Sequence, residues 1–166
     1  MDKLTNEEFE IKYNMYYQSL LRLAYNYTFN TSDSEDIVQD VFIKYYKCNK
    51  SFESDTHEKN WLMRVTINQS IDFIKHKSKV LISNDYINDL PDTSDADSKN
   101  EDLKVYVNML DYKYRTVIIL FYYDNYSINE ISNILNISEN SIKVRLNRAR
   151  VKLKELVGDK KWLKKI

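Results

Sequence analysis

A chain of 166 residues with 43% hydrophobic and 30% charged residues can form one medium domain or two small ones. One Gly and one Pro cannot supply the turns of a many-stranded sheet, so all-α is the economical class. The formal net charge of +0 hides a segregation: residues 1–79 carry net −1, residues 80–102 net −6 and residues 103–166 net +7, which points to several partners on one chain.

The lone Cys48 excludes an internal disulfide and suits a reducing cytoplasm. With only His57 and His76 beside it, no recognisable zinc site can be built. No basic-then-apolar signal segment occupies Met1–Glu10 and no apolar run nears 18 residues, so a cytoplasmic protein without membrane insertion is expected. No nucleophile–base motif, Gly-rich phosphate loop or metal-ligand cluster is present, so neither an enzyme nor a cofactor is expected.

Phe9, Tyr13, Tyr16, Leu20, Leu23 or Ala24, and Tyr27 recur at three- and four-residue steps and predict a long amphipathic first helix. Asn30-Thr31-Ser32-Asp33-Ser34 reads as a turn cluster, with Ser34 or Asp33 capping a second helix from Glu35 to about Tyr46. Ile37 or Val38, Val41 or Phe42, and Tyr45 face inward there, leaving Glu35, Asp36, Gln39, Asp40 and Lys44 for the surface. Cys48 to Thr56 is a polar loop pinned by Phe52.

A third helix from about His57 to Lys77 places Met63, Ile67, Ile71 and Ile74 on one stripe and Trp61, Arg64, Asn68, Asp72 and Lys75 on the opposite side. An aromatic beside an amide, two cations and one carboxylate suits a platform for unstacked bases and phosphates. Equally, Trp61 can be core and Arg64–Asn68–Asp72 a surface ladder of i,i+4 pairs. From Val80 to Asp102 the periodicity fails; Pro91, Asp92, Asp95 and Asp97 mark an acidic linker, expected flexible, between helical domains at 1–79 and 103–166.

Helical spacing resumes at Leu103–Met109 and again at Lys113–Tyr123, with Val117, Ile118, Leu120 and Phe121. Ser127 to Val157 then reads as two helices and a tight turn. Ser127 and Glu130 have capping-box spacing, Ile128, Ile131 and Leu135 share a face, Asn136 suits a left-handed turn and Ser138 can cap the next helix. In that helix Ile142, Leu146, Ala149 and Leu153 pack inward, while Asn140, Val144, Asn147 and Arg148, flanked by Ser141, Lys143 and Arg145, face out. This is the pattern of a helix-turn-helix recognition helix for the major groove. Ten Lys/Arg between Lys143 and Lys165, against Glu155 and Asp159, would neutralise phosphates. The plainer reading is a basic amphipathic helix whose charges are merely solvated.

SEDIVQDVFIKYYK, WLMRVTINQSIDFIK and YRTVIILFYYDNYSINEISNILNISENSIKVRLNRAR, in this order and with an acidic linker, resemble bacterial RNA polymerase sigma factors of the two-domain extracytoplasmic-function type. The resemblance covers about 8–79 and 103–157 and implies two small helical domains, a region 2-like one at 1–79 and a region 4-like one at 103–166. It implies a dissociable initiation factor that binds core RNA polymerase and reads the −10 element of promoter DNA with the first domain and the −35 element with the second. By similarity Asp36, Gln39 and Asp40 contact the polymerase clamp, and the loop from Phe52 to Thr56 captures a flipped base. Arg64, Asn68 and Lys75, near Trp61, hold adjacent bases and backbone, and Asn140, Ser141, Lys143, Val144, Arg145 and Arg148 read the major groove.

The acidic linker resembles the family's connector through a basic channel of the polymerase, and a separate anti-sigma partner is common in the family. Three positions depart from its pattern: Val144 for a small polar residue, Lys75 for arginine and Asn136 for glycine. The first two bear on base preference, through a thymine-methyl contact and through lost bidentate geometry. No sizeable C-terminal extension is present, so a fused sensor is not expected. The competing reading is a helix-turn-helix regulator with an N-terminal dimerisation or sensing domain, acting without polymerase.

Overall fold

The computed structural model describes residues 5–48, 51–83 and 104–158, with the backbone alone at 80–83. Among these residues there is no strand. The chain divides into two compact units, Met1–Tyr86 and Ile87–Ile166.

The first unit is three helices, α1 (Asn6–Thr28), α2 (Thr31–Lys47) and α3 (Asp55–Ser83), each packed on the other two. Helix α1 starts at a reciprocal cap: Thr5 Oγ1 accepts the Glu8 N–H at 3.2 Å, and Glu8 Oε2 accepts the Thr5 N–H at 2.9 Å. These hydrogen bonds, the backbone one foremost, hold the Glu8 carboxyl below its ordinary range.

Tyr16, Leu20, Leu23, Ala24 and Tyr27 are buried from α1, as the periodicity predicts, while Phe9 and Tyr13 are half-buried. Phe29 adopts a left-handed conformation (φ 51°), so α1 and α2 are joined by two residues only.

Helix α2 begins four residues earlier than the sequence suggests. Its cap is Asn30, whose side chain accepts the Asp33 N–H at 2.9 Å. Five consecutive polar residues, Asn30 to Ser34, can all serve as caps, and only the packing of Ser34 chooses among them. Ser34 is fully buried, with its hydroxyl 2.6 Å from the Asn30 carbonyl and 2.7 Å from the Thr28 hydroxyl. Asp33 instead accepts from Lys77 Nζ at 2.7 Å, tying α2 to α3.

Helix α3 is longer than predicted at both ends. Ser54 Oγ accepts the His57 N–H at 3.1 Å, so the helix begins at Asp55. With no Gly or Pro between Lys77 and Pro91 to stop it, it runs to Ser83, into the stretch read as linker. The rest of that linker, 84–102, and Leu103 lie outside the described residues.

The buried stripe of α3 is Leu62, Met63, Thr66, Ile67 and Ser70; Ile71 and Ile74, expected in it, are half-buried. Thr66 and Ser70 can sit in the core because each hydroxyl donates to the carbonyl four residues back, Leu62 at 2.9 Å and Thr66 at 2.8 Å.

In the second unit residues 104–108 are helical (α4) and bury Val107, with Leu110 just beyond. Arg115, 7% exposed, donates to the carbonyls of Asn108 and Leu110 and so closes the end of α4. Helix α5 (Tyr112–Ile118) passes directly into a π-turn, Ile119–Tyr123, where the Asp124 N–H reaches the Ile119 carbonyl at 3.0 Å. The wider turn shifts the inward face, burying Ile119 and Leu120 and leaving Phe121 half-buried, contrary to the straight helical pattern. Helices α6 (Ile128–Leu135) and α7 (Glu139–Val157) follow.

Candidate nucleic-acid and partner interfaces

The α6–α7 pair has the capping and turn that its residues prescribe. Ser127 Oγ accepts the Glu130 N–H at 3.2 Å and Glu130 Oε2 accepts the Ser127 N–H at 2.8 Å. Asn136 is left-handed (φ 55°, ψ 47°), and Ser138 Oγ accepts the Ser141 N–H at 3.2 Å to open α7. Ser132 Oγ donates to the Ile137 carbonyl at 2.6 Å and pins the turn from inside.

Ile131 and Ile134 are the buried anchors of α6, while Ile128 and Leu135 are half-buried at its flanks. In so short a helix a single i,i+3 pair can reach the core. Ile142, Leu146, Ala149 and Leu153 of α7 are all buried, joined by Val157.

With that stripe fixed inward, Asn140, Lys143, Val144 and Arg148 are exposed and Ser141 and Arg145 half-buried. Asn140, Lys143, Arg145 and Arg148 make no side-chain hydrogen bond or ion pair among the described residues, so their donors are open to a ligand. Ser141 Oγ lies 2.9 Å from Ser138 Oγ.

Not every cation of the basic count is available. Arg150 donates Nε to the Tyr122 hydroxyl at 2.8 Å and lies over the Phe121 and Tyr122 rings at 6.0 and 5.7 Å. Lys160, Lys161, Lys164 and Lys165 lie outside the described residues.

In the first unit Asp36, Gln39 and Asp40 are exposed together on α2 and make no side-chain hydrogen bond or ion pair among the described residues. Ile43 and Tyr46, 45% and 50% exposed, continue the same face. Beside them a shallow groove runs between α1 and α2, lined by Phe9, Tyr13, Phe42 and Tyr46.

The aromatic candidates of this unit gather at the start of α3. Phe52 lies 5.6 Å from the Trp61 ring, 6.2 Å from Tyr45 and edge-on to His57 at 5.7 Å, and Tyr45 is 6.3 Å from Trp61. Trp61 is half-buried and packs on Tyr45 and Phe52, so it is neither a fully enclosed core residue nor a free surface one. Arg64 is half-buried and Asn68, Asp72 and Lys75 are exposed along the same flank. The loop is shorter than predicted, because Asp55 and Thr56 already belong to α3.

Beneath this cluster is a network that periodicity does not reveal. Lys12 Nζ lies 2.7 Å from Asp55 Oδ1 and 2.6 Å from Glu58 Oε2, and the Tyr45 hydroxyl donates to Glu58 Oε1 at 2.5 Å. Glu58 is only 6% exposed. The Asp55 hydrogen bond and then that of Glu58 raise the Lys12 ammonium above its ordinary range. Burial, followed by the Glu58 contact, raises the Tyr45 phenol.

Among the described residues no helix is long and apolar enough to cross a membrane, and no acidic, His or Cys cluster could hold a metal ion.

The family described as sigma-70 region 2 matches residues 13–80, and sigma-70 region 4 matches residues 100–153. The RNA polymerase sigma factor SigV of Bacillus subtilis is 30% identical over 133 residues, covering 80% of each chain. The ECF RNA polymerase sigma factor SigM of the same organism is 33% identical over 150 residues, covering 87% of this chain and 91% of the relative. Among solved structures, the sigma factor RpoE in complex with the anti-sigma factor NepR, from Bartonella quintana, is similar with a TM-score of 0.67 at 24% identity, over 93% of this chain and 99% of that one. CnrH in complex with the cytosolic domain of CnrY is similar with a TM-score of 0.66 at 22% identity, over 92% and 89%.

Proposed function

We propose a division of labour for this chain, which belongs to the extracytoplasmic-function branch of the sigma-70 RNA polymerase sigma factors. As a member of that family it is a promoter-directing initiation factor, working with core RNA polymerase on promoter DNA. The polymerase clamp is met by Asp36, Gln39 and Asp40, three exposed side chains without partners among the described residues. Phe52 and Trp61 capture an unpaired base of the −10 element, with Arg64, Asn68 and Lys75 along the neighbouring backbone. Asn140, Ser141, Lys143, Val144, Arg145 and Arg148 read the −35 element from the major groove.

The protein supplies binding energy and placement here, with no covalent chemistry of its own. Unstacking a base costs a few kcal/mol, and an aromatic that stacks on the freed base returns about 1–3 kcal/mol. Melting is thereby coupled to recognition. A separate anti-sigma protein, of the kind bound to RpoE in the similar solved structure, restrains the factor.

The observation that supports the reading is the presence, on one chain, of two different surfaces whose chemistry suits nucleic acid. One is an aromatic cluster at the start of α3 and the other a polar and basic face on α7 whose Asn140, Lys143, Arg145 and Arg148 have no side-chain partner among the described residues. An autonomous helix-turn-helix regulator explains only the second.

Run-off transcription tests it. Core polymerase lacking other sigma factors, mixed with this protein on DNA including the region upstream of its own gene, is expected to give discrete transcripts that depend on the protein. Tight duplex binding without association with core, and without transcripts, would favour the regulator instead.

A further inference from the structure

Tyr45 belongs to two clusters at once. Its ring lies beside Phe52 at 6.2 Å and Trp61 at 6.3 Å, and its hydroxyl is fixed 2.5 Å from Glu58 Oε1. The other oxygen of Glu58 is 2.6 Å from Lys12 Nζ, which also holds Asp55 at 2.7 Å. Asp55 is the first residue of α3, and its carbonyl accepts from the Tyr16 hydroxyl at 3.4 Å. Three helices are thus tied together where the Phe52 loop enters α3.

A buried ion pair adds little net stability over apolar residues of the same volume. What this one adds is a preferred geometry: the Tyr45 ring cannot tilt or slide without breaking a hydrogen bond to a buried carboxylate, and that carboxylate cannot move without leaving Lys12 to Asp55 alone. Phe52 and Trp61 rest on that ring. Side chains that capture a strand need partners whose rotamers are already locked, because looseness is settled in lost binding energy.

We propose that Lys12, Glu58 and the Tyr45 hydroxyl are positioning residues for promoter melting, acting through the Tyr45 ring to hold Phe52 and Trp61 ready for an unpaired base. The inference rests on the strand-capture reading of those two aromatics. Lys12 and Glu58 themselves touch no DNA.

The test uses holoenzyme assembled on a promoter recovered by run-off, with strand opening followed by permanganate reactivity of unpaired thymines. Tyr45→Phe keeps the ring and removes only the hydroxyl; Lys12→Met removes the ammonium and keeps the stem; Lys12→Arg restores a cation. Tyr45→Phe and Lys12→Met are expected to bind core as the parent does but to open the promoter roughly five-fold less, the lower end of what one base–aromatic stack is worth. Lys12→Arg is expected to recover most of that loss.

A fall in melting temperature of the protein with promoter opening unchanged would overturn the proposal and leave the network a stabilising one. Phe52→Ala, run alongside, separates the two levels. Slow opening by Phe52→Ala with normal opening by the network variants sinks the positioning role alone, whereas normal opening by Phe52→Ala sinks the strand-capture reading and this inference with it. If Lys12→Met does not fold, Tyr45→Phe decides the matter.

Discussion

Arg150 donates its Nε to the Tyr122 hydroxyl across 2.8 Å, 28 positions apart in the chain. The pair braces α7 against the π-turn that follows α5, and it takes one arginine out of the charge that the sequence appeared to offer to phosphates. Replacing Tyr122 by Phe removes one hydrogen bond to a cation and should cost about 1–2 kcal/mol of stability in the second unit. Denaturant titration of the full chain, followed by a probe in that unit, measures it. Arg150→Ala should lower stability too, while leaving the salt dependence of promoter binding close to that of the parent.

Arg145 and Arg148 behave in the opposite way. Neither has a side-chain partner among the described residues, and both lie on the outward side of α7. Arg148→Ala or Arg145→Ala should leave thermal unfolding nearly unchanged and weaken holoenzyme binding by roughly 1–3 kcal/mol if the contact is to a base edge. A phosphate contact would instead reduce the salt slope by about one, uniformly across sequences. Binding to matched and mutated −35 elements at several salt concentrations distinguishes these results, and unchanged promoter use would remove both residues from the reading surface.

Asp40 is exposed on α2, beside Asp36 and Gln39, and satisfies no internal donor among the described residues. Asp40→Ala is therefore expected to impair assembly with core polymerase, read by co-elution or by competition with another sigma factor. Its folding stability should change only by the small amount typical of surface substitutions, about 0.5 kcal/mol. A large loss of stability would make Asp40 structural.

Alkali should loosen the first unit before the second. Lys12 has its ammonium raised from an ordinary value of 10.5 by the hydrogen bonds to Asp55 and Glu58. In that range the unfolded chain gives up a proton that the folded one keeps, so the stabilisation is complete below the ordinary value and declines as pH rises above it. Tyr45 acts with the same sign. Its phenol is raised from 10.0, foremost by burial, and the unfolded state ionises first. Unfolding of the first unit between pH 9 and pH 11 should accordingly steepen with base, and less so in Lys12→Met.

Much of the helix-turn-helix was legible in its residues alone. Ser127 with Glu130, Asn136, Ser138 and the stripe from Ile142 to Leu153 all form the caps, the left-handed turn and the buried face that their spacing prescribes. Such signals are local: a cap, a turn and a helical face each depend on residues three or four apart, so they survive in the sequence without knowledge of the rest.

What failed to show was of two kinds. Where several neighbours offer the same local chemistry, as at Asn30 to Ser34, only the burial of Ser34 selects the cap. Thr66 and Ser70 look like surface residues because polarity is counted, yet they pack in the core by returning their hydroxyls to their own helix.

The second kind is long-range. Lys12 meets Asp55 and Glu58 from more than forty positions away, and Arg150 meets Tyr122 from the far end of its unit. No periodicity can encode those pairs, because they arise from how helices approach one another. Local spacing is enough to prescribe a helical chain, the residues that turn it and the side chains that lie on the α7 face. Tertiary packing alone decided which charges are spent inside the protein and which remain for DNA and polymerase, since a charge is free only when the fold brings it no partner.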